Sequence, residues 1–154
     1  MKKIRKIAVE QNFAAISVGK LNELNEYELQ LGPDVKIPGK VFCSTALGTT
    51  GSEFSFQSFA PGTETGFLHS HKSHEELYFF LSDKGEFQVD GTVFPVEEGS
   101  VVRVSPAGKR SVRNNGTTPL LMLCIQYCSN TFSQEDATDG IILKEPVKWK
   151  VSPK

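Results

Sequence analysis

From about residue 41 onward the chain is built of short apolar blocks separated by turn-forming residues, and the blocks have the length of strands rather than helices. Segments 41–47, 53–59, 67–71, 76–82, 86–89, 92–96, 101–104, 111–113 and 120–127 are rich in Val, Phe, Leu and Tyr, and several alternate apolar with polar positions. A period of two is what a half-buried strand requires, because successive side chains leave it on opposite faces. Gly48, Gly51, Pro61-Gly62, Asp83, Gly85, Gly99, Pro106, Gly108, Asn114 and Gly116 punctuate the blocks. Asp90-Gly91 is the sharpest of these signals, since a two-residue hairpin turn needs residues that accept positive φ. Nine short strands with almost no helical periodicity between them predict an all-β sandwich or barrel. Segment 120–125, Leu-Leu-Met-Leu-Cys-Ile, is apolar on both faces, which suits a strand covered on two sides.

The flanks read differently. Residues 1–40 form an N-terminal extension in which 21–31 suits a short helix or an extended arm before Gly32-Pro33. Its Phe13, Ile16 and leucines need cover, either from the barrel of 41–130 or from a second copy of the chain. Within residues 131–154, a polar turn at 133–138 leads to an expected last strand near 141–143.

Composition narrows the setting. A chain of 154 residues with 38% hydrophobic and 23% charged residues is sized for one core. A formal net charge of −1 gives no global drive toward nucleic acid or an anionic membrane. No apolar run approaches the roughly 20 residues that span a bilayer. The basic start (Lys2, Lys3, Arg5, Lys6) runs into Glu10, Gln11 and Asn12, which interrupt the apolar stretch of a secretion leader. Cys43, Cys124 and Cys128 are odd in number and lack C-x-x-C spacing, so a reducing, cytoplasmic location is expected.

The chemistry concentrates in one stretch. All three histidines, His69, His71 and His74, fall within six residues. In an extended segment His69 and His71 share a face, and a hairpin after them brings Glu76 alongside. Two imidazoles and a carboxylate on one face suit non-haem Fe(II), and equally Mn, Zn or Ni, with coordination positions left open.

Pro61-Gly62, the run His69-Ser-His-Lys-Ser-His-Glu-Glu76-Leu-Tyr-Phe-Phe-Leu81, and Gly85 to Gly91 resemble the first motif of the cupin superfamily. Gly99 to Asn114, followed by Gly116 and Pro119-Leu120, resembles the second. The resemblance covers roughly 41–126. It implies a single double-stranded β-helix (jelly-roll) barrel whose open end holds a metal or small-molecule ligand, and a homodimer. Three departures stand out. Gly62 lies one residue further from His69 than the motif's usual spacing, Asp83 stands where the first motif closes on glycine, and Arg110 stands where metal-binding cupins place a third histidine, four residues before Asn114. Asp accepts the left-handed conformation better than most residues, so the turn can survive.

Arginine stays protonated and has no lone pair for a metal. A metal would therefore rest on His69, His71 and Glu76 with water or ligand. Arg110 can clamp a carboxylate or phosphate, or pair with Glu76. Arg103 joins it as a second guanidinium if the Arg103 face is the inner one. Two functions stay open: a metal-dependent enzyme of oxygenase or isomerase type on a small anionic substrate, and a metal-free binding module for a small anionic metabolite. Acid–base work by His69 or His71 without metal uses the same barrel.

Overall fold

The computed structural model describes residues 1–150. The chain opens with a hairpin of β1 (Arg5–Glu10) and β2 (Phe13–Ser17), a 3-10 helix at Leu21–Glu26, and a second hairpin of β3 (Glu28–Leu31) and β4 (Val35–Pro38). Then come β5 (Lys40–Phe42), the one-turn helix α1 (Ser44–Leu47), β6 (Glu53–Phe59), β7 (His74–Ser82), β8 (Lys84–Val89), β9 (Thr92–Glu97), β10 (Val101–Val104), β11 (Arg110–Arg113) and β12 (Leu120–Cys128). A final 3-10 helix spans Gln134–Thr138. None of the helices is long and apolar enough to cross a membrane.

Two antiparallel sheets face each other, one of five strands in the order β10-β7-β12-β6-β5 and one of three in the order β11-β8-β9. Alternation decides what lies between them. Ser55, Gln57 and Phe59 on β6, Glu76, Tyr78 and Phe80 on β7, and Leu120, Met122 and Cys124 on β12 all point inward and are buried. Phe87 closes the space from the smaller sheet. It is fully buried, and its ring meets Tyr78 at 4.9 Å, Phe80 at 6.2 Å and Phe94 at 5.6 Å between centroids. Edge-to-face geometry at the first two contacts adds about 0.5–1.5 kcal/mol each to plain area burial.

The turns behave as their chemistry requires. Asp83 adopts φ 66° between β7 and β8, so the aspartate at the motif's glycine position takes the left-handed conformation. Asp90 and Gly91 also have positive φ, at 50° and 85°, which matches the twist of a tight hairpin between β8 and β9.

The apolar side chains of residues 4–27 pack on the outer face of the large sheet, while β4 borders the inner cavity. Val18, Leu24 and Tyr27 pack with Val41 and Cys43 in a second core, flanked by Phe54, Phe56 and Leu121 from the sheet's back. Several expectations need correction. Segment 21–31 divides into a 3-10 helix and a strand, and segment 41–47 into β5 and α1. Segment 67–71 is extended but joins the smaller sheet only by the bridge between His69 and Arg110. Residues 141–143 form no strand and stay exposed.

Candidate metal centre

The histidine segment is held by the backbone of the second motif. His69 N–H donates to the Arg110 carbonyl at 3.3 Å, and Arg110 N–H donates back to the His69 carbonyl at 3.0 Å. His71 N–H donates to the Pro106 carbonyl at 2.8 Å. The two rings then sit edge to face, 5.3 Å between centroids. Glu76 comes from the other sheet, on β7, where alternation with Tyr78 and Phe80 turns it inward.

Glu76 is the focus of the cluster, only 4% exposed. Its Oε1 lies 3.4 Å from His69 Nε2, 3.1 Å from His71 Nε2 and 3.5 Å from Arg110 Nε. Tyr78 donates its hydroxyl to Oε1 at 2.6 Å, and the Cys124 thiol donates to Oε2 at 3.1 Å. Burial pushes the carboxyl's pKa up, but the hydrogen bonds from His69, Tyr78 and Cys124 and the nearby His71 outweigh it. Glu76 is therefore held ionised, well below the usual carboxylate range. Burial drives the His71 pKa down, helped by Arg110 and His69 against the pull of Glu76, so its imidazole favours the neutral form that has a lone pair to give.

Ligand atoms of His69, His71 and Glu76 all lie within 4.8 Å of one another. His71 Nε2 and His69 Nδ1 are buried with no aligned hydrogen-bond partner. Buried polar atoms normally have partners, so the unpartnered His71 Nε2 beside the Glu76 carboxylate fits a site able to hold a cation. The donor set matches a divalent transition metal in kind and in convergence.

Arg110 is fully buried. Its guanidinium donates to the Ser105 carbonyl at 3.1 Å and to the His69 carbonyl at 3.5 Å, while Nε faces Glu76 without a hydrogen bond. Arg103 is elsewhere. Its side chain leaves β10 opposite Val102 and Val104 and stands in solvent, 3.4 Å from Glu75 and 3.2 Å from the Ser105 hydroxyl. The face carrying Arg103 is the outer one, so the expected pair of guanidiniums in the pocket reduces to Arg110. Arg113 also points out, to Glu86. His74 opens β7 rather than sitting in a turn, and its Nδ1 is 2.8 Å from Gln126 Oε1.

Tyr78 and Cys124 belong to the core between the sheets and also hold the carboxylate. The alternation that turns Glu76 inward turns Tyr78 inward with it, so the signal was there.

A cavity of about 450 Å³ lies beside the cluster, with Glu76, Tyr78, Cys124, Met122 and Gln57 in its wall. It extends past β4 and the 3-10 helix of the N-terminal extension, and past the loop around Thr65 and Phe67. That size is ordinary for a small-molecule site.

Residues 55–126 match the family model described as "Cupin domain". The barrel is a small cupin-type domain. Its two facing sheets are the double-stranded β-helix, and the His69–His71–Glu76 cluster sits inside it. A cupin protein from Bacteroides fragilis has a solved structure that superposes with a TM-score of 0.67 at 28% identity, covering 87% of this chain and 99% of that one. The chain is also 30% identical over 80 residues to an uncharacterized protein from Methanocaldococcus jannaschii, which is 52% of this chain and 62% of that protein. Over 72 residues it is 31% identical to an oxalate-binding protein from Thermotoga maritima, 47% of this chain and 59% of that protein. The chain thus spans about three fifths of the length of these curated relatives.

Proposed function

We propose that this cupin binds a small anionic molecule at a divalent transition metal held by His69, His71 and Glu76, and acts on it as a metal-dependent enzyme of oxygenase or isomerase type. The observation that carries the proposal is the convergence of two imidazoles on one ionised carboxylate, with the buried His71 Nε2 beside it left unpartnered. When bound, the metal supplies Lewis-acid polarisation of a substrate oxygen.

The chain's own residues do the rest. Tyr78 and Cys124 fix the Glu76 carboxylate from below by donating to both of its oxygens. Arg110 cancels the charge of Glu76 within the barrel, so the cation's own charge has to be met by the ligand. An anionic ligand is therefore favoured over a neutral one. The oxalate-binding relative supports a small carboxylate as the ligand class.

Elemental analysis of protein purified without a histidine tag tests this reading. Near-stoichiometric Fe, Mn, Zn or Ni is expected, and loss of at least about tenfold in metal affinity in His71→Ala. No metal after reconstitution would reject the enzyme.

One observation favours a second reading, a metal-free binding module. The Arg110 guanidinium occupies the place of a third ligand and already pairs with Glu76. In that case anion binding survives a chelator, and it does not in the first.

A second copy of the chain is part of the same proposal. Ile7 and Phe13 stay exposed on the hairpin of β1 and β2, apolar positions suited to a homodimer contact. Light scattering on Ile7→Glu/Phe13→Glu should show half the mass of the parent chain; an unchanged mass would remove this hairpin from any interface.

A further inference from the structure

Lys40 lines the inner cavity without an ion pair or hydrogen bond among the described residues. It opens β5 on the edge of the large sheet, beside Gln57 of β6. The neighbouring Val41 turns to the outer core, so alternation sends Lys40 into the cavity, where it shares the wall with Gln57, Met122, Cys124 and Glu76. The other charges of the cavity are accounted for. Glu76 is met by Tyr78, Cys124, the imidazoles and Arg110. Lys36, nearer the mouth, has Glu28 at 3.7 Å, and Glu64 there is exposed.

Lys40 forms no ion pair or hydrogen bond among the described residues; its ammonium lies 5.2 Å from the centre of the Phe42 ring. Burial pushes its pKa down, against the pull of Cys124 and Glu76. Half-buried, with an aromatic face at its side and no hydrogen-bonded anion, this ammonium is a ready partner for an incoming negative group. Strands β6 and β12 separate Lys40 from Glu76 along the sheet, so the two charges stand at different parts of one cavity.

We propose that Lys40 anchors a second acidic group of the ligand, so that the cavity takes an elongated molecule with a carboxylate at each end rather than a simple monoacid. One carboxylate meets the His69–His71–Glu76 cluster, whose Glu76 reaches the cavity wall, and the other meets Lys40, with Cys124 and Met122 between them. The inner end of this assignment rests on the proposed function, and the outer end does not.

The test uses the full chain, with metal content measured separately, and a series of straight-chain dicarboxylates (oxalate, succinate, glutarate, adipate) beside the monocarboxylates of matching length. Binding is read by calorimetry on metal-loaded and metal-free protein. One of the longer dicarboxylates is expected to bind at least about tenfold tighter than its monocarboxylate, which is 1.4 kcal/mol. Lys40→Met should abolish that preference while leaving monocarboxylate binding within about twofold, and Lys40→Arg should restore most of it. Unfolding curves of both variants establish that the barrel is intact. Equal binding of mono- and dicarboxylates at every length, a preference that survives Lys40→Met, or no binding by any acid in the series would overturn the proposal. Absence of metal with the Lys40-dependent preference retained would sink the metal enzyme and leave this inference standing.

Discussion

Glu76→Gln is expected to destabilise the metal-free barrel by about 3–5 kcal/mol, the range for breaking a buried ion pair by removing one partner. The substitution keeps the shape of the side chain and removes its charge. Arg110, which is fully buried, then has two backbone carbonyls and no anion. With the carbonyl oxygen kept at Tyr78 the amide turns a donor toward Cys124, and flipped it turns one toward both Tyr78 and the guanidinium, so a donor faces a donor. With total stability of about 5–15 kcal/mol for an ordinary domain, such a loss is a large share. Urea unfolding followed by circular dichroism measures it. The double variant Glu76→Gln/Arg110→Met should recover much of the loss, because both charges leave together and a well-packed apolar side chain takes the space. A single-variant loss below about 1 kcal/mol, the scale of an exposed pair, would mean that Arg110 finds its compensation elsewhere.

Arg110→His is expected to raise affinity for Zn or Mn by well over tenfold. Two effects add in the same direction. A fixed positive charge is removed from the edge of the cluster; at 4 Å and an effective dielectric of 20, two unit charges interact by about 4 kcal/mol. A third imidazole also becomes available at the position where the resemblance places one, on β11, whose backbone is tied to His69. Arg110→Met separates the two contributions, since it removes the repulsion and adds no ligand, and should fall between the parent and the histidine variant. Competition against a chromophoric chelator gives all three affinities. Equal affinities across the series would show that the cation does not sit beside residue 110.

Most of the barrel could be read from alternation. The segments 53–59, 92–96, 101–104 and 120–127 differ from β6, β9, β10 and β12 by a residue at most, because each is bounded by turn residues and carries one inward face. The hairpin of β1 and β2 escaped notice because its turn, Gln11-Asn12, has no glycine and its strands bury little on either face. The last strand was expected near 141–143 from apolar content alone, which does not supply a pairing edge.

At the site, the shared face of His69 and His71 followed from spacing, and the inward turn of Glu76 followed from the apolar strand it opens. The route between them was not visible. The imidazoles reach Glu76 across two sheets, through a bridge to β11, and no local spacing encodes that. Whether the Arg103 or the Val102–Val104 face of β10 lies inside was undecidable from the strand alone, since a one-residue change of register exchanges the two. Lys40 was hidden for the same reason, because its place in the cavity depends on β5 pairing beside β6.

The reciprocal pair of backbone hydrogen bonds between His69 and Arg110 means that ligand placement is written into the frame of the opposite motif. Insertions or deletions between Ser105 and Lys109 would slide both imidazoles away from β7 even with every donor side chain retained. Exchanging the side chain at 110 leaves this backbone tie in place. Altering the length of the turn before it would pull both imidazoles away from Glu76.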